Sequence, residues 1–247
     1  MSNIKCIDDI KHAFYINLEH RTDRKIHVEK QLDNIGIKAD RFNAIRMDNG
    51  AIGCSLSHLK LLEYAVKHNL DHILIVEDDI LFLDPEKFKT QFNKFIELHG
   101  NNWEVILFAG NNMPPYEKID ETCIKVSKCQ TTTGYLVNKH FIKALEKNVK
   151  MGLSNLVNRP NERDKFAIDK FWFVLQSASR WYLITPPTVI QRLDYSDIEK
   201  RVTNYEGLMT DLDKSEMFKA IREMRQKQAQ NQMSFTNKSQ SNILPKF

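Results

Sequence analysis

The stretch H-I-L-I-V-E-D-D at residues 72–79 decides the fold class of this chain. Its first part, His72–Val76, is too short for a helix and rich in β-branched residues, so we predict a buried central strand. Glu77, Asp78 and Asp79 then stand where that strand leaves the sheet at its C-terminal edge. Ligands of open α/β sheets bind at this edge, so the same stretch also indicates a site.

Strand-like and helix-like segments alternate on both sides of this stretch. Strands are predicted at Ala13–Leu18, Asp40–Ile45, Glu104–Phe108, Ile124–Ser127, Gly134–Val137 and Trp181–Ile184. Helices are predicted from Thr22 to near Gly36 (apolar face Ile26, Leu32, Ile35), from Pro85 (core stripe Phe88, Phe92, Phe95), and over Ser55–Asn69, Lys139–Asn148, Asp164–Leu175 and Asp213–Gln228. Repeated strand–helix–strand units predict an α/β fold with a mostly parallel central sheet and helices on both faces.

A length of 247 residues, 42% of them hydrophobic, fits one α/β domain with a tail. We place the domain at residues 1–198 and a C-terminal segment at 199–247. That segment holds a helix and a polar stretch, residues 231–242, which is predicted to be disordered because it is poor in apolar residues.

Charge and hydropathy exclude several classes. The formal charge is only +4, and no basic run is interleaved with aromatic residues, so a nucleic-acid partner is not expected. Apolar runs are far shorter than the ~20 residues of a transmembrane helix, and the N-terminus lacks an apolar signal core. We therefore expect a cytoplasmic protein with its four cysteines reduced. None stands in a C-x-x-C pair, so a structural zinc site is not expected.

The acidic triplet is a candidate metal site. Three adjacent carboxylates repel one another, and one would keep a proton unless a cation neutralises them. Oxygen ligands favour Mn²⁺ or Mg²⁺, which could bridge the two phosphates of a nucleoside diphosphate and stabilise it as a leaving group. The alternative is a solvated loop in which Asp78 or Asp79 caps a turn.

Several ordered motifs between Phe14 and Ile198 resemble glycosyltransferase family 25, which includes bacterial lipooligosaccharide sugar transferases and collagen hydroxylysine galactosyltransferases. The matching blocks are Phe14–Arg24 (with I-N-L-x-x-R-x-D-R), Arg41–Ile45, Gly53–His58 (G-x-x-x-S-H), Ile75–Asp79, Thr132–Val137, and the pair Ile168-Asp169 and Pro187–Gln191, followed by Ser196-Asp197-Ile198. Six blocks in this order are hard to obtain by chance.

The resemblance implies a GT-A type nucleotide-binding sandwich and transfer of a hexose, galactose or glucose, from a UDP-sugar with inversion. The acceptor would be a hydroxyl of a glycan or of hydroxylysine, in lipooligosaccharide biosynthesis or collagen glycosylation. Glu77 and Asp79 would bind Mn²⁺ (or Mg²⁺). The donor would be bound by Asn17, Arg21, Ala44, Ser57, Asp78, Gly134 and Gln191.

Most of these residues also have a purely structural interpretation. Arg21 and Arg24 could be solvated at a helix start, and Ser57 could bond back into its own helix. His58, on an otherwise apolar helix, is more often a hydrogen-bonded core residue than a ligand. Gly134 could be required only for close strand packing.

An inverting transfer needs a base that takes the proton of the acceptor hydroxyl. The candidate is Asp169, a lone acid that enters an apolar segment, where burial would raise its proton affinity. It could equally be a helix-start acid, with Glu162 and Asp164 as the other candidates. No histidine follows His140, so water, Asp169 or another oxygen would have to complete the metal shell.

Two rival functions remain open from the sequence. A nucleotidyltransferase also uses acids at a strand end to hold Mg²⁺, but it normally has a glycine-rich or basic phosphate loop, which the Ile16–Arg24 turn does not resemble. A non-catalytic module could keep the fold to bind a glycan or a partner. The apolar stripe of Met217, Ile221 and Met224 could support docking or a homo-oligomer.

Overall fold

A computed structural model describes residues 4–196 and 198–241, with side chains to residue 228. Asp197 of the last matched block and Asn242 of the polar stretch lie outside the described residues. The strands are β1 (Ala13–Asn17), β2 (Asp40–Asn43), β3 (His72–Glu77), β4 (Ile80–Phe82), β5 (Val105–Leu107), β6 (Asn111–Asn112), β7 (Glu117–Lys118), β8 (Cys123–Lys125), β9 (Cys129–Gln130), β10 (Gly134–Asn138), β11 (Trp181–Ile184), β12 (Val189–Gln191), β13 (Asp194–Ser196) and β14 (Arg201–Thr203).

The helices connect these strands and, apart from α9, belong to the first compact unit. They are α1 (Thr22–Asn34), α2 (Gly50–Lys67), α3 (Pro85–His99), α4 (Lys139–Asn158), α5 (Arg163–Phe166), α6 (Ile168–Phe171), α7 (Phe173–Ala178), α8 (Glu206–Thr210) and α9 (Ser215–Ser241). No helix in the described ranges is long and apolar enough to cross a membrane. All four cysteines are free thiols.

The main sheet has eight strands in the order β2-β1-β3-β10-β5-β11-β8-β7. Strand β1 is parallel to both β2 and β3, and β5 is parallel to β11, whereas β10 and β8 are antiparallel to their neighbours. Six strands therefore run in one direction and two against it. The predicted α/β fold with a mostly parallel central sheet is confirmed.

Strand β3 lies between β1 and β10 and is buried on both faces. Ile73 and Ile75 point to one core, and Leu74 and Val76 point to the other, as the two-residue period of a strand requires. Helices α1 and α3 cover the second face, and α2 and α4 cover the first. This double cover explains the continuous apolar run of the sequence and fixes the end of β3 at one edge of the sheet.

The helix starting at Pro85 follows the sequence prediction. Asp84 caps it by accepting a hydrogen bond of 3.0 Å from the backbone N–H of Lys87. The predicted stripe of Phe88, Phe92 and Phe95 is fully buried.

Two helix predictions were wrong in detail. Ile26, assigned to the apolar face of α1, is 69% exposed, and Val28 takes its place in the core beside Leu32. The single helix predicted over Asp164–Leu175 is instead three short helices, α5 to α7. The backbone is extended at Ala167, with ψ 148°, and this residue therefore separates α5 from α6.

The chain divides into two compact units, residues 1–212 and 213–247. The first unit extends beyond residue 198 because α8 packs against β6 and β12. In the second unit, α9 runs from Ser215 to Ser241, longer than the helix predicted from sequence. Its polar half contains glutamine, lysine and alanine without glycine or proline, so nothing in the sequence stops the helix. Met224 is exposed on this helix.

Candidate functional site

A cleft of about 370 Å³ opens at the C-terminal end of β3. Its walls come from the loop after β1, the loop between β2 and α2, the end of β3 and residues near β12 and β13. All three carboxylates of the acidic triplet line it, as the sequence predicted. Three arginines, Arg21, Arg24 and Arg46, line the same cleft.

Glu77 is held by three donors on one carboxylate oxygen. Oε1 accepts hydrogen bonds from the Thr132 hydroxyl at 2.7 Å and the Cys54 thiol at 3.6 Å. It also lies 3.3 Å from Nε2 of His58. Burial alone would raise the pKa of Glu77, but these hydrogen bonds, that of His58 foremost, hold it below its usual value. Glu77 is therefore a fixed negative charge in the cleft wall.

Asp79 is buried, and its two oxygens have different surroundings. Oδ2 accepts a hydrogen bond of 2.9 Å from the side-chain amide of Gln191 and lies 3.5 Å from the Arg24 guanidinium. Oδ1 is buried and has no hydrogen-bond partner among the described residues. Burial and the nearby charge of Glu77 raise the pKa of Asp79 to about 8. A buried carboxylate oxygen without a donor is suited to a cation.

Asp78 is fixed from behind by Asn17 and Arg24. Its Oδ2 accepts a hydrogen bond of 2.8 Å from the Asn17 amide, and its Oδ1 accepts one of 2.9 Å from the Arg24 guanidinium. Burial raises the pKa of Asp78 despite the opposing charge of Arg24. Asn17, which the resemblance placed around the donor, is itself fully buried and bonded to the backbone carbonyl of Arg21 at 3.0 Å. In the structure its side chain positions Asp78.

Arg24 is the main feature of the cleft that the sequence interpretation missed. Its guanidinium contacts Asp78 and Asp79, and it also donates to Asp194 at 3.0 Å and to the carbonyl of Tyr195 at 2.9 Å. The solvated interpretation of Arg24 was wrong because α1 directs the side chain into the acidic cluster. The only sequence signal was its place in the R-x-D-R turn.

Arg21 and Ala44, two of the residues that the resemblance assigns to donor binding, line the cleft. Arg21 forms ion pairs with Asp23 at 2.9 Å and with Asp194 at 3.2 Å. The hydrogen bond from Arg21 lowers the pKa of Asp23 well below its usual range. Arg21 thus places a positive charge, fixed by these two ion pairs, beside the acidic triplet.

Ser57 has a structural role as well as a place in the cleft wall. Its hydroxyl donates to the carbonyl of Gly53 at 2.8 Å and accepts from the backbone N–H of Ile45 at 2.9 Å. A Cβ at Gly53 would lie 2.5 Å from the carbonyl oxygen of Ile45, so only glycine permits this approach. Together these contacts fix the loop before α2 against the cleft.

The two remaining donor-binding candidates lie in different places. Gln191, at the end of β12, lines the cleft and bonds Asp79. Gly134 is buried in β10 opposite Val76 and is not among the residues that line the cleft. A Cβ on Gly134 would lie 2.8 Å from Cδ1 of Ile80 and 3.4 Å from Cβ of Phe108. These contacts favour the packing interpretation of this glycine.

We expect Gly134→Ala to destabilise the protein by about 1–3 kcal/mol, because the added methyl overpacks the core around Ile80. Urea unfolding measures this change. Gly207→Ala is the matched control, since a Cβ at Gly207 meets nothing within 4 Å. Unchanged stability together with weakened nucleotide binding in Gly134→Ala would instead support a direct donor contact.

A second cavity of about 390 Å³ adjoins the first and contains Asp169. Glu77, Cys54 and Gln191 line both cavities, so they form a shared wall. Asp169 is half-buried at the start of α6, and its Oδ2 accepts a hydrogen bond of 3.2 Å from the backbone N–H of Thr131. Burial raises the pKa of Asp169 above its usual value.

The other two candidate bases are placed less favourably. Asp164 lines the second cavity but is exposed. Glu162 bonds Lys165 at 2.8 Å and is not among the cavity-lining residues. Asp169 lines the same cavity, is less exposed than Asp164 and has a raised pKa, so it is the best placed of the three acids.

His58 is a hydrogen-bonded core residue, as its sequence context suggested. Its Nδ1 lies 2.8 Å from the Tyr135 hydroxyl, and its Nε2 faces Glu77. Cys54, His58 and Glu77 nevertheless place one ligand atom each within 4.8 Å of one another. The sequence favours a core role for His58 over a ligand role, and its contact with Glu77 is seen only in the structure, where α2 brings it to the cleft.

The residues present fit a divalent cation. Within the described part of the chain Oδ1 of Asp79 accepts no hydrogen bond, and Glu77 faces the same cleft with its charge stabilised by hydrogen bonds. Carboxylate oxygens are the ligands of Mn²⁺ and Mg²⁺, and His58 and Cys54 each place a further ligand atom within 4.8 Å of Glu77.

Comparisons with known proteins point to one enzyme family. Residues 46–157 match the model of "Glycosyltransferase family 25 (LPS biosynthesis protein)". A "Glycosyltransferase 25 family member" of Anopheles gambiae is 25% identical over 169 residues, which are 55% of this chain and 28% of that protein. A protein of the same name from Drosophila melanogaster is 32% identical over 97 residues, 28% of this chain and 16% of that one. The chain thus matches less than a third of the length of these relatives.

Among solved structures, a glycosyltransferase involved in glycosylation of the major capsid of PBCV-1 aligns with a TM-score of 0.42 and 13% identity, covering 70% of this chain and 79% of that one. A mannose-1-phosphate geranyltransferase from Thermus thermophilus aligns with a TM-score of 0.41 and 10% identity, covering 70% and 73%.

Proposed function

We propose that this chain, whose residues 46–157 match the model of glycosyltransferase family 25, transfers a hexose, galactose or glucose, from a UDP-sugar to an acceptor hydroxyl. The acceptor is a glycan or a hydroxylysine side chain, and the transfer inverts the anomeric carbon with Mn²⁺ or Mg²⁺ bound. The observation that carries the proposal is the convergence of three carboxylates and three arginines on one cleft, which adjoins a second cavity containing Asp169.

The first cleft is suited to the diphosphate of the donor. Arg21 and Arg46 supply positive charge along its wall, and charge-assisted hydrogen bonds from arginine match phosphate oxygens. Glu77 and Asp79 would hold the divalent ion. When bound, that ion supplies charge neutralisation for the UDP leaving group.

The second cavity is suited to the acceptor. Asp169 is placed to accept the proton of the attacking hydroxyl, and burial raises its pKa towards the range of an effective base. An inverting displacement needs nucleophile and leaving group on opposite sides of the anomeric carbon. Two cavities that share the Glu77 wall offer such an arrangement, with the donor sugar between them.

One observation favours a second candidate, a non-catalytic binding module of the same fold. Arg24 already contacts both Asp78 and Asp79, so the acidic cluster is partly neutralised without a metal. A protein that only binds a glycan or partner could keep this pairing as a structural feature.

A panel of UDP-sugars with Mn²⁺, assayed for UDP release with and without candidate glycans and hydroxylysine peptides, tests the proposal. We expect at least one donor to yield UDP in a Mn²⁺-dependent way. Release of pyrophosphate would indicate a nucleotidyltransferase. A folded protein inert towards every donor would favour the binding module.

A further inference from the structure

A second cluster of metal-ligating side chains lies outside both cavities, where the last residue of α3 meets the turn between β7 and β8. It consists of His99, Asp120 and Cys123, whose ligand atoms all lie within 4.8 Å of one another. His99 Nε2 is 2.7 Å from Asp120 Oδ2. The Cys123 sulfur is 3.9 Å from His99 Nε2 and 4.0 Å from Asp120 Oδ1.

These distances are close to those of a tetrahedral zinc site. Zn–N and Zn–O bonds of ~2.0–2.1 Å and a Zn–S bond of ~2.3 Å imply ligand atoms roughly 3.3–3.6 Å apart. The distance of 3.9 Å from the Cys123 sulfur to His99 Nε2 exceeds this range by a few tenths of an ångström. The contact of 4.0 Å is with Oδ1 of Asp120, the oxygen that does not face His99. The pair of His99 and Asp120 is shorter because the two groups are hydrogen-bonded to each other, and an ion would replace that bond.

The ligand set also matches zinc in chemistry and charge. One thiolate, one imidazole and one carboxylate are typical of Zn²⁺ and unlike the oxygen-only sets of Mg²⁺ or Ca²⁺. A thiolate and a carboxylate together balance the two positive charges, which suits the fully buried Cys123. We propose that His99, Asp120 and Cys123 bind one Zn²⁺, with water in the fourth position.

The neighbouring groups already orient one ligand. Oδ1 of Asp120 accepts a hydrogen bond of 2.7 Å from the Thr122 backbone N–H and one of 2.6 Å from the Thr122 hydroxyl. These bonds fix the carboxylate with Oδ2 towards His99. Binding releases the thiol proton to solvent. Burial, which raises the pKa of Cys123 to about 12, opposes that release, so the zinc–sulfur bond must outweigh it.

The site would join the end of α3 to the edge of the main sheet. The site has no C-x-x-C pair because only one of its three ligands is a cysteine. His99 lies 24 residues before Cys123 in the chain, so no short motif contains all three ligands. The expectation that the chain lacks a structural zinc site rested on that missing pair. The cluster uses a D-x-x-C turn and a distant histidine instead.

Cobalt substitution of the full, metal-stripped chain tests the proposal, because Co²⁺ bound through a thiolate gives a near-ultraviolet charge-transfer band. We expect one equivalent of Co²⁺ to produce this band and Zn²⁺ to displace it. The band should disappear in Cys123→Ser and weaken in His99→Gln. It should persist in Cys54→Ser, which removes the thiol of the other cluster.

Thermal unfolding provides a second measurement that does not depend on the folding of the variants. Zn²⁺ at about 100 times its Kd should raise the Tm of the wild-type chain by roughly 5–10 °C. Absence of a thiolate band in the wild-type chain, or a band that survives Cys123→Ser, would overturn the proposal. Loss of the band in Cys54→Ser alone would do the same, since it would place the thiolate in the first cleft.

Discussion

Asp79→Asn is expected to lower Mn²⁺-dependent UDP release by at least about 100-fold. The substitution keeps the size of the side chain but removes the carboxylate, whose buried Oδ1 accepts no hydrogen bond from the described residues. Metal stabilisation of a leaving group contributes several kcal/mol, and about 1.4 kcal/mol corresponds to tenfold in rate. Steady-state assays over a Mn²⁺ titration measure the loss.

The matched control is Asp33→Asn, an exposed carboxylate on α1. It should leave UDP release within about twofold of wild type, because surface substitutions away from a site have small effects. Thermal unfolding of Asp79→Asn should remain cooperative, which separates loss of the ion from loss of the fold. If Asp79→Asn retains wild-type activity in a folded protein, the metal role of Asp79 is wrong.

Asp169→Asn is expected to reduce transfer to an acceptor by about 10²–10⁴-fold, the usual contribution of a general base. UDP affinity should change little, because Asp169 lines the second cavity and not the first. The isosteric amide still accepts the hydrogen bond from Thr131 through its oxygen, so the α6 start is preserved. Parallel measurements of transfer rate and UDP binding distinguish these effects.

Glu162→Gln is the control for Asp169, since Glu162 pairs with Lys165 at the surface. It should leave the transfer rate within about twofold of wild type. Asp164→Asn tests the remaining acid in the second cavity. A large loss in Asp164→Asn, with Asp169→Asn near wild type, would reverse the assignment of the base.

The fold was largely predictable because burial on two faces leaves a clear mark on a strand. The apolar run of β3 and the phenylalanine stripe of α3 gave the correct elements within one residue. The prediction of one helix over Asp164–Leu175 was wrong because apolar residues occur throughout this region. Hydropathy therefore could not show the extended backbone at Ala167. The assignment of Ile26 to the apolar face of α1 was wrong for a related reason, since this residue fits the helical period but faces solvent.

The candidate site was only partly predictable. The acids of β3 are contiguous in sequence, so their convergence needed no knowledge of long-range contacts. Arg24 and His58 could not be assigned in the same way. Arg24 lies 54 residues from Asp78 and His58 lies 19 from Glu77, and only the packing of α1 and α2 brings them together.

Arg24 gives the acidic cluster a property that the sequence did not suggest. Arg24 pairs with Asp78 and Asp79 and offsets part of the repulsion among the three acids before any ion binds, although the pKa of Asp79 is still raised. The unpartnered oxygen of Asp79 and the charge of Glu77 then remain for a cation. This division of roles reconciles a stable fold with the metal dependence that we propose.

Calorimetric titration of UDP tests the central claim most directly, because it measures whether the carboxylates of β3 bind a diphosphate through a divalent ion. In the wild-type chain, Mn²⁺ should tighten UDP binding at least about tenfold relative to chelator, or ~1.4 kcal/mol. In the double variant Glu77→Gln, Asp79→Asn, the Mn²⁺ effect should vanish. Equal UDP affinity with Mn²⁺, with chelator and in the double variant would contradict the account.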